Sequence, residues 1–322
     1  MSSLLLERLR HFAYRFKYRY GQRLPLSTPV DVSLELASHC NMKCSYCYHG
    51  DQENIPFQKG LMDLYVGERI IRQAATLGVH SLKFNWKGES TINPHFYHLT
   101  SLAKYLANGS TFIERLTNSN FKFHTSRDDI FRGLCNQTKV KVSLDSFRKS
   151  VFETQRTGGA HEVTMRNIDT FYNDPRRKDT EIVIQAVRTQ LNKDEDIEGE
   201  AKKRWPHTTI SIRDMVAGRT DKDVSHLESR QRDVSSERQS CLQAHVRLIF
   251  NWKGVAFPCC PDIGEKLSLG SIQHQSLYEI FNSVAAKRLR ASLKDKSAFE
   301  SNPCLTCSSF ETFKGFKPAW NS

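Results

Sequence analysis

Three cysteines within eight residues, Cys40, Cys44 and Cys47, constrain this chain more than any other feature. They follow the C-x₃-C-x₂-C spacing in Cys40-Asn-Met-Lys-Cys44-Ser-Tyr-Cys47, directly after the alternating apolar run Val32, Leu34, Leu36. A second set, Cys241, Cys259, Cys260, Cys304 and Cys307, ends in a C-x-x-C pair, and Cys135 stands alone. Nine cysteines in 322 residues are too sparse for a disulfide scaffold, and an odd number cannot pair completely within one molecule. Clustered thiols in a reducing compartment read instead as metal or cluster ligands. Cys135 is expected to be a small buried apolar residue.

Beyond Pro29, short β-like runs alternate with amphipathic stretches of helical length, the pattern of a parallel sheet covered by helices. Strands are predicted at Val32–Leu36, Ser81–Trp86, Phe112–Asn118, Val140–Leu144, Glu181–Val187 and Thr209–Met215. Helices are predicted between them at Leu61–Leu77, Pro94–Leu106, Arg127–Leu134, Val163–Tyr172 and Asp194–Lys203. The expected fold is α/β, a partial barrel of six β/α units over residues 30–218, preceded by an arm at 1–29. Residues 219–240 are almost wholly polar and read as a linker. Residues 241–322 form the expected small C-terminal domain, with a hairpin turning at Asn251-Trp252-Lys253-Gly254 and one basic amphipathic helix over Leu277–Leu293.

Three thiolates can hold three irons of a cubane and leave the fourth open, and an open metal position is what binding a reactant requires. By ligand type alone, a zinc site of these cysteines with His39 or His49 is the alternative. The spacing, with aromatic Tyr46 before the last cysteine, resembles the radical S-adenosylmethionine superfamily. That resemblance implies a 4Fe–4S cluster on Cys40, Cys44 and Cys47. It also implies S-adenosylmethionine on the open iron and one-electron cleavage to a 5′-deoxyadenosyl radical that abstracts hydrogen from a C–H bond.

It further implies cofactor contacts at the C-terminal ends of strands, where open α/β sheets bind ligands. Lys87-Gly88-Glu89-Ser90 is similar to the family's G-G-E-P motif, in which Gly88 allows close backbone approach and Glu89 receives the cofactor's ammonium; Lys87 and Ser90 depart from the pattern. Thr117-Asn118-Ser119 is similar to T-N-G, and Ser143-Leu144-Asp145 to the segment that hydrogen-bonds the ribose. Tyr46 and Arg156 complete the implied contacts, Arg156 at the carboxylate end.

The later cysteines run C-x₁₂-G-x₄-C from Cys241 through Gly254 to Cys259, then Cys304-Leu-Thr-Cys307. This arrangement resembles the family's auxiliary-cluster appendage in its shorter twitch form rather than the longer SPASM form. One further 4Fe–4S cluster on Cys241, Cys259, Cys304 and Cys307 is implied, with Cys260 a packed neighbour able to substitute. A treble-clef-like zinc site is the alternative.

The formal charge is +12, and the first 29 residues carry Arg8, Arg10, Arg15, Lys17, Arg19 and Arg23 against Glu7 alone. Phe12, Tyr14, Phe16, Tyr18 and Tyr20 interleave with them. Cations neutralise phosphates and aromatic faces stack on bases, so a nucleic acid or nucleotide substrate is one expectation. The other is a helix whose aromatics pack on the main domain. The Trp86-Lys87-Gly88-Glu89-Ser90 variant also resembles phage radical enzymes of thymidine hypermodification, which implies isomerisation of an amino-acid-type group on a nucleobase. A radical dehydrogenase, a peptide-modifying enzyme and a non-catalytic zinc or nucleic-acid-binding module are the alternatives. A one-electron donor such as flavodoxin or ferredoxin is an expected partner. The chain shows neither a membrane span nor a secretory leader, so a cytoplasmic location is expected, the host's if the chain is phage-encoded.

Overall fold

A computed structural model describes residues 3–215, 227, 241–300, 303–305 and 307. The predicted linker, Leu227 apart, and the tail past Cys307 lie outside the described residues. Six strands alternate with helices in the first unit: β1 (Asp31–Leu34), α2 (Leu64–Thr76), β2 (Ser81–Phe84), α3 (Phe96–Leu106), β3 (Glu114–Ser119), α4 (Asp128–Cys135) and β4 (Lys139–Ser143). α5 (Lys149–Gln155), α6 (His161–Tyr172), β5 (Glu181–Arg188), α7 (Ile197–Arg204) and β6 (Thr209–Asp214) complete it, and α1 (Ser3–Tyr20) precedes it. β1 to β6 pair in sequential order and all in parallel. The predicted α/β architecture is present. α5, which lies in a seven-residue stretch too short for helical periodicity to show, was not foreseen.

Strand side chains alternate between faces. Val32, Leu34, Leu82, Phe84, Val140, Val142, Ile182 and Ile184 form one core with Ile70, Ile71, Leu99 and Phe131 of the helices. The opposite, inner face is polar, carrying Asp31, Ser33, Glu35, Lys83, Asn85, Asn118 and Lys141.

The C-terminal unit holds α8 (Gln243–Val246), β7 (Arg247–Phe250), β8 (Val255–Phe257), β9 (Gly270–Ser271), α9 (Leu277–Phe281) and α10 (Val284–Lys294). Its hairpin is not a separate sheet: β7 joins the free edge of β1 in parallel, and β8 and β9 continue antiparallel, giving nine strands. The turn forms where expected. Gly254 takes φ +80°, a left-handed conformation that favours glycine, and the Asn251 side chain accepts from the Lys253 and Val255 amides at 3.1 and 2.9 Å. The single helix expected over Leu277–Leu293 is two, because Ser283 caps a new start by accepting from the Ala286 amide at 3.1 Å.

α1 packs part of its aromatic face on the main domain and leaves part exposed. Tyr14 is buried and its hydroxyl lies 3.3 Å from Glu114, while Tyr18 accepts from Arg247 at 3.0 Å. Both therefore fasten the helix across the N-terminal ends of the strands, where Asp31 pairs with Lys83 and with Arg247. Phe12, Phe16 and Tyr20 remain 56, 45 and 37 % exposed. Among the described residues no helix is long and apolar enough to cross a membrane.

Candidate cluster and cofactor site

The cysteine loop leaves the C-terminal end of β1 and is clamped by backbone. The Lys43 amide donates to Thr157 at 2.7 Å, Ser45 to Gln155 at 2.9 Å, and Glu89 to His39 at 2.9 Å. Gly88 is demanded by this contact: a Cβ there would stand 2.2 Å from the His39 carbonyl oxygen and 2.5 Å from that of Ala37. The close approach that Gly88 allows in the fold is made to the cysteine loop.

Cys40, Cys44 and Cys47 are free and partly buried. Burial, with Glu89 and the other two thiols nearby, pushes the Cys40 thiol up to about 12, and burial also raises Cys44. Bare thiolates are thus disfavoured here, whereas a cationic iron cluster supplies the charge that deprotonates them. Among the described residues no three His, Cys, Asp or Glu side chains converge closely enough for a single ion. Three free thiols on one loop are the donor set that a cubane with one open iron takes. His49, one of the two histidines of the zinc alternative, turns its Nε2 to the Lys87 carbonyl at 2.9 Å.

Around the loop stand the residues expected from sequence. Glu89 is buried; its Oε2 accepts from the Asn120 amide at 2.8 Å and its Oε1 from the Thr91 hydroxyl at 2.8 Å. Burial pushes its carboxyl up despite these bonds, so an arriving ammonium would find an acceptor whose charge the protein has not balanced. Asn118 Oδ1 is buried without a partner among the described residues. Ser143 ends β4 on the same face, half-buried.

Asp145 differs from its expectation. Its carboxylate accepts from Arg156 at 3.0 Å, from the Val187 amide at 2.9 Å and from the Tyr46 hydroxyl. Three donors within the protein occupy it, so it braces Tyr46 and Arg156 instead of standing open to a diol. Arg156 Nε has no partner among the described residues, and Nη1 turns toward the Cys44 sulfur at 3.9 Å. Asn120 stands similarly 4.0 Å from the Cys40 sulfur. Sequence reasoning missed Asn120; its place directly after the T-N-S segment was the available signal.

Lys87, the departure from the glycine-rich motif, is a strut between the two units. It is buried, lies over the Trp86 ring at 4.0 Å, pairs with Glu265 and stands 3.6 Å from Glu35. Trp86 donates to the Cys260 carbonyl at 3.0 Å and packs on Phe257 at 5.4 Å. Cys260 itself is exposed, not packed as expected. Cys241, pushed up to about 11 by burial, lies in the electrostatic reach of Cys304 and Cys307, and Cys259 in that of Cys241. Cys241 thus links the other three thiols electrostatically.

No curated protein sequence matches the chain. Solved structures of similar fold include BtrN in complex with AdoMet and 2-DOIA, at 15% identity and TM-score 0.57, covering 87% of this chain and 92% of that one. Streptococcus suis SuiB bound to S-adenosylmethionine is similar at 15% identity and TM-score 0.63, covering 91% of this chain and 76% of that one. Native anSMEcpe with bound AdoMet follows at 17% identity and TM-score 0.62, covering 89% of each. Residues 241–308, which carry all four later candidate ligands, match the SPASM family, an iron–sulfur cluster-binding domain.

Proposed function

We propose that the chain is a radical S-adenosylmethionine enzyme carrying one 4Fe–4S cluster on Cys40, Cys44 and Cys47 and a second on Cys241, Cys259, Cys304 and Cys307. The observation that carries this reading is the cysteine loop at the end of β1, with Glu89, Asn118 and Ser143 at or just past the ends of β2, β3 and β4 and Arg156 at the end of α5. When bound, the cofactor supplies a carbon radical able to take hydrogen from an unactivated C–H bond. The chain's own residues do the rest. Glu89 receives the ammonium, Asn118 and Ser143 orient the nucleoside, Arg156 and Asn120 direct donors at cluster sulfurs, and Asp145 holds Tyr46 and Arg156 in place. Four thiolates close the second cluster's coordination, which suits electron transfer rather than substrate binding.

Anaerobic reconstitution tests this. The expected result is brown protein with about eight irons and, after dithionite reduction, 5′-deoxyadenosine. Colourless protein that takes up zinc alone would sink the reading.

The finer reading is isomerisation of an amino-acid-type group on a nucleobase, with flavodoxin or ferredoxin as donor. It is supported by the Trp86-Lys87-Gly88-Glu89-Ser90 variant and by the exposed Phe12, Phe16 and Tyr20 beside Arg19 and Arg23. An unchanged product mass and salt-sensitive DNA binding are its expected signatures. The rival reading, oxidation of a small molecule or a peptide, draws on the bound species of the similar structures: 2-DOIA on BtrN, the precursor peptide SuiA on SuiB and the Cp18Cys peptide on anSMEcpe. A product lighter by two hydrogens would favour it.

A further inference from the structure

The inner face of the sheet carries a row of polar atoms that nothing among the described residues satisfies. Asn118 and Lys141 are direct register partners on β3 and β4. Phe84 pairs with Thr117, which sets Asn85 beside Asn118, and Ser33 pairs with Lys83, which sets Glu35 beside Asn85. Four neighbouring strands therefore present Glu35, Asn85, Asn118 and Lys141 at one level. The Oε1 of Glu35 and the Oδ1 atoms of Asn85 and Asn118 are buried and have no partner among the described residues.

Lys141 is the odd cation among its neighbours. Lys83 and Arg247 are held by Asp31, and Lys139 by Glu181 at 3.0 Å. Glu114, the carboxylate closest in influence, already accepts from Ser81 at 3.0 Å. Lys141 has no hydrogen bond or ion pair among the described residues, and burial together with Arg213 and Lys83 pushes its ammonium down to about 8. Buried polar groups are normally satisfied, so a contiguous set that is not points to a missing partner.

We infer that this ledge binds the substrate of the proposed radical reaction, seating a carboxylate or phosphate on Lys141 and a hydroxyl or ammonium donor on Asn85, next to the Asn118 assigned to the cofactor. The ledge lies below the cofactor residues: Lys141 is two positions before Ser143 on its strand, and Asn85 precedes the Gly88-Glu89 motif. Strand spacing makes it roughly 10 Å across from β2 to β4, the size of a small hydrophilic molecule or one appended group rather than a polymer. The inference rests on the barrel being the reaction chamber proposed above.

Lysine acetylation footprinting of cluster-loaded protein tests it, with labelling at Lys141 and Lys139 read by mass spectrometry. Inorganic phosphate, L-serine and S-adenosylmethionine are titrated separately. Protection of Lys141, and not of Lys139, by phosphate identifies a phosphate-bearing substrate, and by L-serine a carboxylate-bearing one. Protection should reach about fivefold at about four times the dissociation constant. Asn85→Leu should weaken the effective probe by roughly fivefold or more, the loss of one hydrogen bond. The inference is overturned if neither probe protects Lys141, if Asn85→Leu changes nothing, or if S-adenosylmethionine alone gives the full protection. The brown chromophore and 5′-deoxyadenosine formation are recorded on the same samples. Their absence fails the radical reading; their presence without probe protection fails the ledge alone.

Discussion

One guanidinium serves two ends: Arg156 donates from Nη2 to Asp145 at 3.0 Å and brings Nη1 to 3.9 Å from the Cys44 sulfur. The anchor on a fully buried carboxylate fixes where the positive charge sits relative to the cysteine loop. Hydrogen bonds to cluster sulfurs and nearby charge set reduction potential. Arg156→Gln removes a cation that favours the reduced, more negative cluster, so its potential should fall. The drop should be about 60 mV, a tenfold change for a one-electron couple, in an EPR-monitored titration. An unchanged potential would leave Arg156 with a structural role only.

Gly88→Ala forces a methyl group to 2.2 Å from the His39 carbonyl, a contact with backbone that cannot rotate away. The cysteine loop must shift. A loss of roughly 3 kcal/mol is expected in denaturant unfolding, together with reduced iron uptake at the first cluster. Native stability with full iron content would show that the loop tolerates displacement.

Glu35 links stability to pH. Burial raises its carboxyl from 4.5 to about 8, although Lys87 pulls the other way. A carboxyl that holds its proton more tightly when folded contributes stability below about 4.5, and that contribution is lost as pH rises through about 8. Glu35→Gln cannot ionise, so its melting temperature should gain on the parent's across that window. Parallel curves would mean that Lys87 fully meets the charge.

The two cysteine sets should separate functionally. Cys44→Ala should abolish 5′-deoxyadenosine formation, while Cys304→Ala should lower iron by about four per chain and largely spare that cleavage, since a cubane holds four irons. Equal loss in both variants would mean that the two sites are not independent.

α1 makes a two-sided prediction. Tyr14→Ala opens a cavity against the strand ends and should cost about 3 kcal/mol. Phe16→Ala, at an exposed position, should change stability by no more than about 0.5 kcal/mol. If the arm contacts nucleic acid, Phe16→Ala should still weaken salt-sensitive DNA binding in a gel shift. Undiminished binding would remove the exposed aromatics from that role.

What the linear sequence determined by itself was the local part: which residues alternate, where the chain turns, and which thiols stand three or four positions apart. Strand and turn patterns depend on neighbours within a few residues, so the six parallel strands, the Asn251–Gly254 turn and the cysteine triad were legible without coordinates. Tertiary structure decided everything that depends on residues far apart. Asp145 looked like an open ribose acceptor until Tyr46, 99 positions away, and Arg156 closed on it. Lys87 looked like a flaw in a glycine-rich motif, yet it pairs with Glu265, 178 positions away. The unpartnered oxygens of Asn85 and Asn118 share a level with Lys141 because parallel pairing aligns the strands. A hydrogen-bonding group's unmet capacity depends on all its spatial neighbours, and those are known only once the chain has folded.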